Sequence, residues 1–441
     1  MRGLYNLALL LGTPLWLGYV LVRVLGGSWR ERWWERFGWV PVPPPKDKRR
    51  IWLHCVSVGE TVAALPLIKQ IRATLPDYEL ILSTTTPTGQ QTAWSQARDY
   101  VDYLIYFPLD LPFAVRRAIR RIQPSLLILF ETELWLNLLA EQHRQGGAVM
   151  VVNGRLSDRS FQRAKRFRWL FQKMLGYVDF VCAQSPTDAG RFVELGMSPS
   201  RVEMTGNTKF DQALESLSAP EAWREILSLP PEAPVIVVGS TRTPEEEQIV
   251  VEAYLKVRAR LPETCLVIAP RHLERVPEVE SLLQSHQLNP FRRSQLPLAP
   301  NADAPPYAQV VIVDSFGELA RLYAVADVAV VGGAFAPLGG QNLFQPLAHG
   351  KPVFFGPHTH NFRDIAQLAQ SAGIGFEVST AEELANGIIR LLESPKEREA
   401  IAERARQLIQ QHHGATQRCL QFIQRWVQHH EKHTLSVFKR L

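Results

Sequence analysis

Short apolar runs alternate with longer amphipathic stretches from residue 51 to residue 355. The segments 51–56, 79–84, 103–106, 126–129, 148–152 and 180–183 are near-continuous apolar runs of strand length, and a short strand falls near 202–205. Between them, apolar residues at helical spacing predict helices over 62–75, near 90–98 and over 112–122. Strands buried on both faces and alternating with helices predict a parallel sheet covered on both sides. A mixed stretch at 212–232, containing Leu229-Pro230-Pro231, interrupts the pattern. It then restarts with strands at 235–238, 266–269, 310–313, 328–331 and 353–355. A proline-rich loop is expected near 296–306, and two or three terminal helices over 381–427. The class is therefore α/β, with two successive doubly wound halves and a cleft between them. Ligands of such sheets bind at the carboxyl ends of the strands, beside helix N-termini.

The beginning of the chain breaks this pattern. Leu4 to Val22 carries no charge and is followed by Arg23, Trp29, Arg30, Arg32, Trp33, Trp34 and Arg36. An uncharged run of at least 18 residues is long enough to cross hydrocarbon, and basic and Trp residues after it favour the cytoplasmic headgroup layer. Asn6 and Pro14 weaken a straight span, so a helix lying in the membrane interface stays open beside it. A cleaved signal would have a shorter apolar core and a small-residue cleavage site.

Charge supports this division. The chain has 49 Lys+Arg, 43 Asp+Glu and a net charge of +6 over 441 residues. The excess lies in the first fifty residues, where nine basic side chains meet only Glu31, Glu35 and Asp47. The rest is balanced, so nothing marks a nucleic-acid binder. Cys55, Cys182, Cys265 and Cys419 show no metal-ligand or disulfide spacing.

Five loops after strands carry candidate chemistry. In Ser57-Val58-Gly59-Glu60, Glu60 is either a proton acceptor or a first-turn residue favoured by the helix dipole. Glu131-Thr132-Glu133 pairs two carboxylates at a strand end. Gly206-Asn207-Thr208-Lys209 offers a cation for phosphate. Arg271 and His272, with Arg275 nearby, present a guanidinium fork that suits phosphate or carboxylate, or else pairs with the acidic helix around 245–247. Gly332 to Asn342 holds two Gly-Gly pairs whose backbone N–H groups are expected to close on an anion; a plain turn is the alternative. A basic stretch with Arg155, Arg159, Arg163, Lys165 and Arg166, interleaved with Phe161, Phe167 and Trp169, is expected to face a membrane, a solvated amphipathic helix being the plainer reading.

Taken in order, Trp52–Thr61, Thr84–Gly89, Phe107–Asp110, Glu131–Trp135, Asn153–Ser157, Gly206–Asp211, Ala269–His272, Asp314–Leu319, Gly332–Asn342 and Phe355–Phe362 resemble the bacterial transferases of 3-deoxy-D-manno-octulosonic acid (Kdo). The resemblance implies a GT-B fold. It implies a membrane anchor at 1–28, a basic juxtamembrane linker at 29–50, an acceptor domain at 51–211 and an interdomain linker at 212–232. A nucleotide-sugar domain at 233–395 and helices at 396–441 that pack back on the N-terminal domain complete the expected division. It further implies CMP-Kdo as donor, a lipid A precursor of the lipid IV-A type as acceptor, and a location on the cytoplasmic side of the inner membrane. No cofactor and no metal are expected. By the resemblance Glu60 is the general base and Glu131 assists it. Lys209, Ser240, Arg271 and His272 would hold the donor, together with Ser315, Gly317, Glu318, Gly333, Asn342 and Gln345. The chain departs from the family at Gln341 and Gln345, where a His and a Glu are usual. Gln345 is neutral and accepts through one oxygen. Another nucleotide-sugar donor, or a catalytically inactive tethered binding protein, are the alternatives this departure suggests.

Overall fold

The computed structural model describes residues 2–7, 9, 32–215, 217, 220–296 and 307–438. Most of the uncharged N-terminal run and most of the proline-rich loop at 296–306 lie outside the described residues. Among the described residues no helix is long and apolar enough to cross a membrane.

The chain folds into two compact units, Met1–Gln212 with His413–Leu441, and Ala213–His412. The first is built on seven parallel strands: β1 (Arg49–Cys55), β2 (Tyr78–Thr84), β3 (Tyr103–Tyr106), β4 (Leu126–Phe130), β5 (Ala148–Gly154), β6 (Phe180–Ala183) and β7 (Val202–Met204). Their order is β3-β2-β1-β4-β5-β6-β7. The strand order reverses between β1 and β4, which pair from Ile51↔Leu126 to His54↔Leu129. At such a reversal the outgoing loops part and leave a crevice at the carboxyl edge.

The second unit repeats the plan with β8 (Val235–Thr241), β9 (Cys265–Pro270), β10 (Phe291–Arg292), β11 (Val310–Ile312), β12 (Val328–Val331), β13 (Val353–Phe355) and β14 (Gly375–Glu377). The order is β10-β11-β9-β8-β12-β13-β14, with the reversal between β8 and β12. The apolar runs form these strands because both faces are covered: Val235, Val237, Val238, Val328, Ala329 and Val330 are all fully buried. β10 and β14 were not legible as apolar runs. They are edge strands of two and three residues carrying half-exposed side chains.

Three helices close the chain, Ala381–Glu393, Pro395–His412 and Ala415–Phe438. The last belongs to the first unit, where Cys419, Leu420, Ile423 and Val427 are buried in the core that also holds Ile51, Leu53, Ala64 and Ile68. The Asp211 carboxylate fastens its start, accepting the Gly414 N–H at 2.7 Å and the Thr416 N–H at 2.6 Å.

Candidate active site

The helix Val58–Thr74 starts four residues before the expected 62–75. Ser57 is its N-cap, and its hydroxyl accepts the Glu60 N–H at 3.5 Å. The Glu60 carboxylate reaches back to the Val56 N–H at 2.8 Å and receives the Ser57 hydroxyl at 3.2 Å. This is a variant of the Ser-x-x-Glu capping box, in which the carboxylate takes the N–H of the residue before the N-cap. The second unit repeats it: Thr243 caps the helix Pro244–Arg260, and Glu246 accepts the Arg242 N–H at 2.9 Å. Thr380 and Glu383 repeat it again, with the Ser379 N–H at 2.7 Å. Capping geometry therefore does not single out Glu60.

Its surroundings do. β1 and β4 are neighbours, so the loop carrying Glu60 and the loop carrying Glu131 and Glu133 leave the sheet side by side at the reversal. Burial first, and then the charges of Glu131 and Glu133, push the Glu60 carboxyl up to about 8, against the pull of the Val56 N–H and the Ser57 hydroxyl. Glu133 is lifted to about 7, again by burial first and by Glu131, although Trp135 donates to it at 3.2 Å. Three carboxyls share one poorly solvated corner, and two are held toward the neutral form. A carboxyl poised near neutrality suits proton abstraction.

Glu131 is placed by backbone strain. It sits at φ 60°, as do Asn153 (56°) and Ser240 (63°), at or just beyond the carboxyl ends of β4, β5 and β8. Left-handed conformations of non-glycine residues cost free energy and persist where surrounding structure enforces them. The Glu131 N–H donates to the Val152 carbonyl at 2.8 Å, and its carboxylate takes the Lys209 ammonium at 2.9 Å. Lys209 was expected to hold donor charge. The structure puts it in the first unit, its ammonium committed to Glu131 and its N–H to the Asn207 side chain at 3.0 Å. Thr132 continues the loop by donating to the Arg155 carbonyl at 2.5 Å.

Beyond Arg155, the helix Asp158–Arg166 buries Phe161 and Ala164 and exposes Arg159, Arg163, Lys165 and Arg166. Lys165 pairs with Glu194 at 2.8 Å, and Phe167 and Trp169 are exposed beside it. His54, on β1, takes no part. It is wholly buried against the Phe107 ring at 3.7 Å, and burial drives its pKa down to about 3, so it is neutral.

In the second unit, Ser240 is the next-to-last residue of β8 and the Gly332–Asn342 loop follows β12. Gly332 is required by close approach, since a Cβ there would lie 2.7–2.8 Å from the backbone of Ser240 and Thr241. Part of this loop already closes on an anion from the chain itself. The buried Glu246 carboxylate accepts the Phe335 N–H at 3.1 Å and the Ala336 N–H at 3.4 Å. This corrects the expectation that the loop amides wait for a ligand. Thr243-x-x-Glu246 was the sequence signal for the cap, but nothing in it told that the same carboxylate would serve a loop ninety residues away. Asn342 is likewise used internally, accepting the Phe344 N–H at 2.9 Å at the start of the short helix Phe344–Ala348, which carries half-exposed Gln345.

Arg271 leaves β9 with its N–H on the Thr241 carbonyl at 2.8 Å, beside the β8 loop. The acidic helix is served by Arg275, whose guanidinium meets Glu247 at 2.5 Å. Arg271 is exposed and makes no ion pair among the described residues. His272 is exposed, 3.6 Å from Glu274. Ser315 donates to Glu318, which also pairs with Arg293 at 3.4 Å, and Gly317 between them takes φ 87°. Ser240, Gly333 and Arg271 thus gather at the carboxyl edge around the reversal, and Ser315–Glu318 follow the neighbouring β11. Among the described residues no group of three or more His, Cys, Asp or Glu side chains is arranged to hold a metal.

Two doubly wound parallel sheets in succession, each with its polar loops at the strand reversal, make up the GT-B fold. Solved structures share this fold. The UDP-GlcNAc 2-epimerase of Neisseria meningitidis bound to UDP-GlcNAc matches 85% of this chain and 100% of its own with a TM-score of 0.60 and 13% identity. A glycosyltransferase of Rickettsia africae matches 86% and 98% with a TM-score of 0.58 and 15% identity. Residues 31–212 match the 3-deoxy-D-manno-octulosonic-acid transferase (kdotransferase) family, and residues 308–408 match the glycosyl transferases group 1. The chain is 34% identical to the 3-deoxy-D-manno-octulosonic acid transferase of Haemophilus influenzae, over 97% of this chain and 99% of that one. It is 35% identical to that of Bordetella pertussis with the same coverage. The chain belongs to the 3-deoxy-D-manno-octulosonic acid transferases, Kdo glycosyltransferases of lipopolysaccharide biosynthesis.

Proposed function

We propose that this chain moves Kdo from CMP-Kdo to a lipid A precursor, with inversion and without a metal ion, on the cytoplasmic face of the inner membrane. The observation that carries the reading is the Glu60 carboxyl, held near neutrality by burial and by two neighbouring carboxylates. Glu60 takes the proton of the acceptor hydroxyl. The hydroxyl oxygen forms a bond to the anomeric carbon of Kdo, the bond from that carbon to the phosphate oxygen breaks, and CMP leaves with the electron pair. Glu131, pinned by Lys209, tunes the base. Arg271, exposed on the second unit, supplies positive charge for the departing phosphate through a guanidinium fork suited to it.

Turnover of CMP-Kdo with a tetra-acylated lipid A precursor, followed by mass spectrometry of the lipid product, tests the reaction. Product is expected, and a chelator is expected to leave the rate within twofold. In calorimetry CMP should bind tighter than UDP. Tighter binding of UDP would favour a different nucleotide sugar, the reading that neutral Gln345 supports, and would overturn the CMP assignment.

The carboxyl cluster makes a pH prediction. Glu60 acts only when ionised, so kcat/KM should rise with pH and level off above about 8. The Glu131 charge raises the Glu60 pKa. Glu131→Gln should therefore move the rising limb toward lower pH, whatever it does to the plateau. A limb that stays in place or moves to higher pH would remove Glu131 from the tuning of Glu60.

A further inference from the structure

Each unit carries the same device at its strand reversal. In the first, β1 runs into the 17-residue helix Val58–Thr74, capped by Ser57, with Glu60 in its first turn. In the second, β8 runs into the 17-residue helix Pro244–Arg260, capped by Thr243, with Glu246 in its first turn. Both carboxylates turn back past the cap to the N–H of the residue before it, Val56 at 2.8 Å and Arg242 at 2.9 Å. The strand across the reversal is β4 in one sheet and β12 in the other, so each carboxylate stands beside the loop that follows that strand. In the first unit that loop brings Glu131 and Glu133, whose charges act on Glu60. In the second it brings backbone N–H groups. Glu246 is the positional counterpart of Glu60, with a different task.

Glu246 is wholly buried and makes no ion pair among the described residues, whereas its neighbour Glu247 takes the Arg275 guanidinium. Its partners are backbone. One oxygen holds the Arg242 N–H, and the other receives the Phe335 N–H at 3.1 Å and the Ala336 N–H at 3.4 Å. Hydrogen bonds to an ionised acceptor are about twice as strong as neutral ones. Capping the helix uses only the first of these bonds. The other two grip a loop 89 and 90 residues away.

That loop is held from both sides. The Ala334 carbonyl accepts the His358 N–H at 2.9 Å, so the peptide joining Ala334 to Phe335 is fixed at its oxygen by the loop after β13 and at its nitrogen by Glu246. The Gly339 carbonyl accepts the Asn361 N–H at 2.9 Å, and the Gly340 N–H closes on the Gly333 carbonyl at 2.7 Å. Residues 333–340 therefore form a closed turn with one shape, between β12 and the residues Asn342 and Gln345. A loop that already has its bound shape loses little freedom when a ligand arrives, whereas a released loop must be ordered at the expense of affinity. Charge acts in the opposite sense. A negative carboxylate under the loop repels an anionic ligand, so removing it would tighten binding if charge alone mattered.

We propose that Glu246 is a positioning residue for the sugar-nucleotide donor: it fixes the Phe335 and Ala336 peptides so that the Gly332–Asn342 loop holds the shape that the donor phosphate meets. This rests on the reading that CMP-Kdo is the donor and binds at this loop.

The full chain is compared with Glu246→Ala and with Thr243→Ala, which loses the helix cap and keeps the loop bonds. Both variants should melt lower, Thr243→Ala by about 2–4 °C. Only Glu246→Ala should raise KM for CMP-Kdo, by roughly tenfold to a hundredfold. Its kcat at saturating donor should stay within about threefold, and its KM for the lipid should not move. Amide hydrogen exchange over residues 333–340, read by mass spectrometry without donor, should be at least about tenfold faster in Glu246→Ala alone, and CMP should restore protection. An unchanged or lower KM in Glu246→Ala, an equal rise in both variants, or loop exchange equal to that of the parent would overturn the positioning role. A parent that turns over no CMP-Kdo overturns the donor reading instead, and exchange without donor still decides whether Glu246 holds the loop. Should Glu246→Ala not fold, Glu246→Gln takes its place with the same outcomes, since it keeps the volume and sets an N–H donor among the three N–H groups.

Discussion

Replacing Glu60 with glutamine is expected to lower Kdo transfer by about 10²–10⁴ at saturating substrates and, at the same time, to make the chain harder to melt above neutral pH. The two effects have one cause. Burial and the charges of Glu131 and Glu133 raise the Glu60 pKa to about 8. A carboxyl raised in the folded state binds its proton more tightly there than in the unfolded chain. Its contribution to stability is complete below the unfolded pKa of about 4.5, declines from there as pH rises, and is fully lost above about 8. Glutamine keeps an oxygen for the Val56 N–H and removes the ionisation. At pH 8 the variant should gain on the order of 4 kcal/mol, a rise in midpoint of about 8–16 °C for a unit of this size. At pH 4 the two proteins should melt together. Thermal scans across pH, paired with the transfer assay, check both. A variant that transfers normally removes Glu60 as the base. A variant that is inactive but melts with the parent at pH 8 as it does at pH 4 shows that the carboxyl is not held away from its ordinary ionisation.

What the sequence disclosed and what it withheld divide along physical lines. Strands buried on both faces announce themselves, because both alternate positions must be apolar. β3, β6, β12 and β13 begin and end where the apolar runs do. The loops at strand ends were legible as polar or glycine-rich exceptions; those after β1, β4 and β12 fall at the two strand reversals, and those after β7 and β9 do not. Partnerships were not legible. Lys209 read as a cation for the donor and is paired with Glu131, 78 residues away. The Gly332–Asn342 loop read as an open anion cradle, and part of it serves Glu246. Arg275, not Arg271, satisfies the acidic helix. Each of these depends on which loops the topology brings together, and local pattern carries no record of that. Asn6 shows the same limit in another form. As one polar residue in an apolar run it only weakened a straight span, whereas its bond to Asn137 gives it a specific seat.

Ile423→Ala is expected to do the reverse of Glu60→Gln, costing stability and sparing chemistry. Ile423 is fully buried in the core that the helix Ala415–Phe438 shares with Ile68 and Leu53. That helix packs on Val58–Thr74, whose first turn carries Glu60. Its start is clasped by Asp211, and Phe422 stacks on Phe180 at 4.4 Å. Removing three buried carbons from such a site costs about 2–5 kcal/mol, or a drop in midpoint of roughly 5–15 °C. The cavity lies on the covered face of the helix, and Ile423 makes none of the hydrogen bonds that set Glu60. Transfer measured well below the new midpoint should therefore stay within about twofold of the parent, with the same pH limb near 8. A shifted limb in a variant that is still folded would mean that the C-terminal helix sets the position of the base as well as the stability of its support. Unchanged chemistry on a weakened scaffold, beside abolished chemistry on a strengthened one, would separate the residues that hold the first unit together from the carboxyl that the unit keeps at a cost.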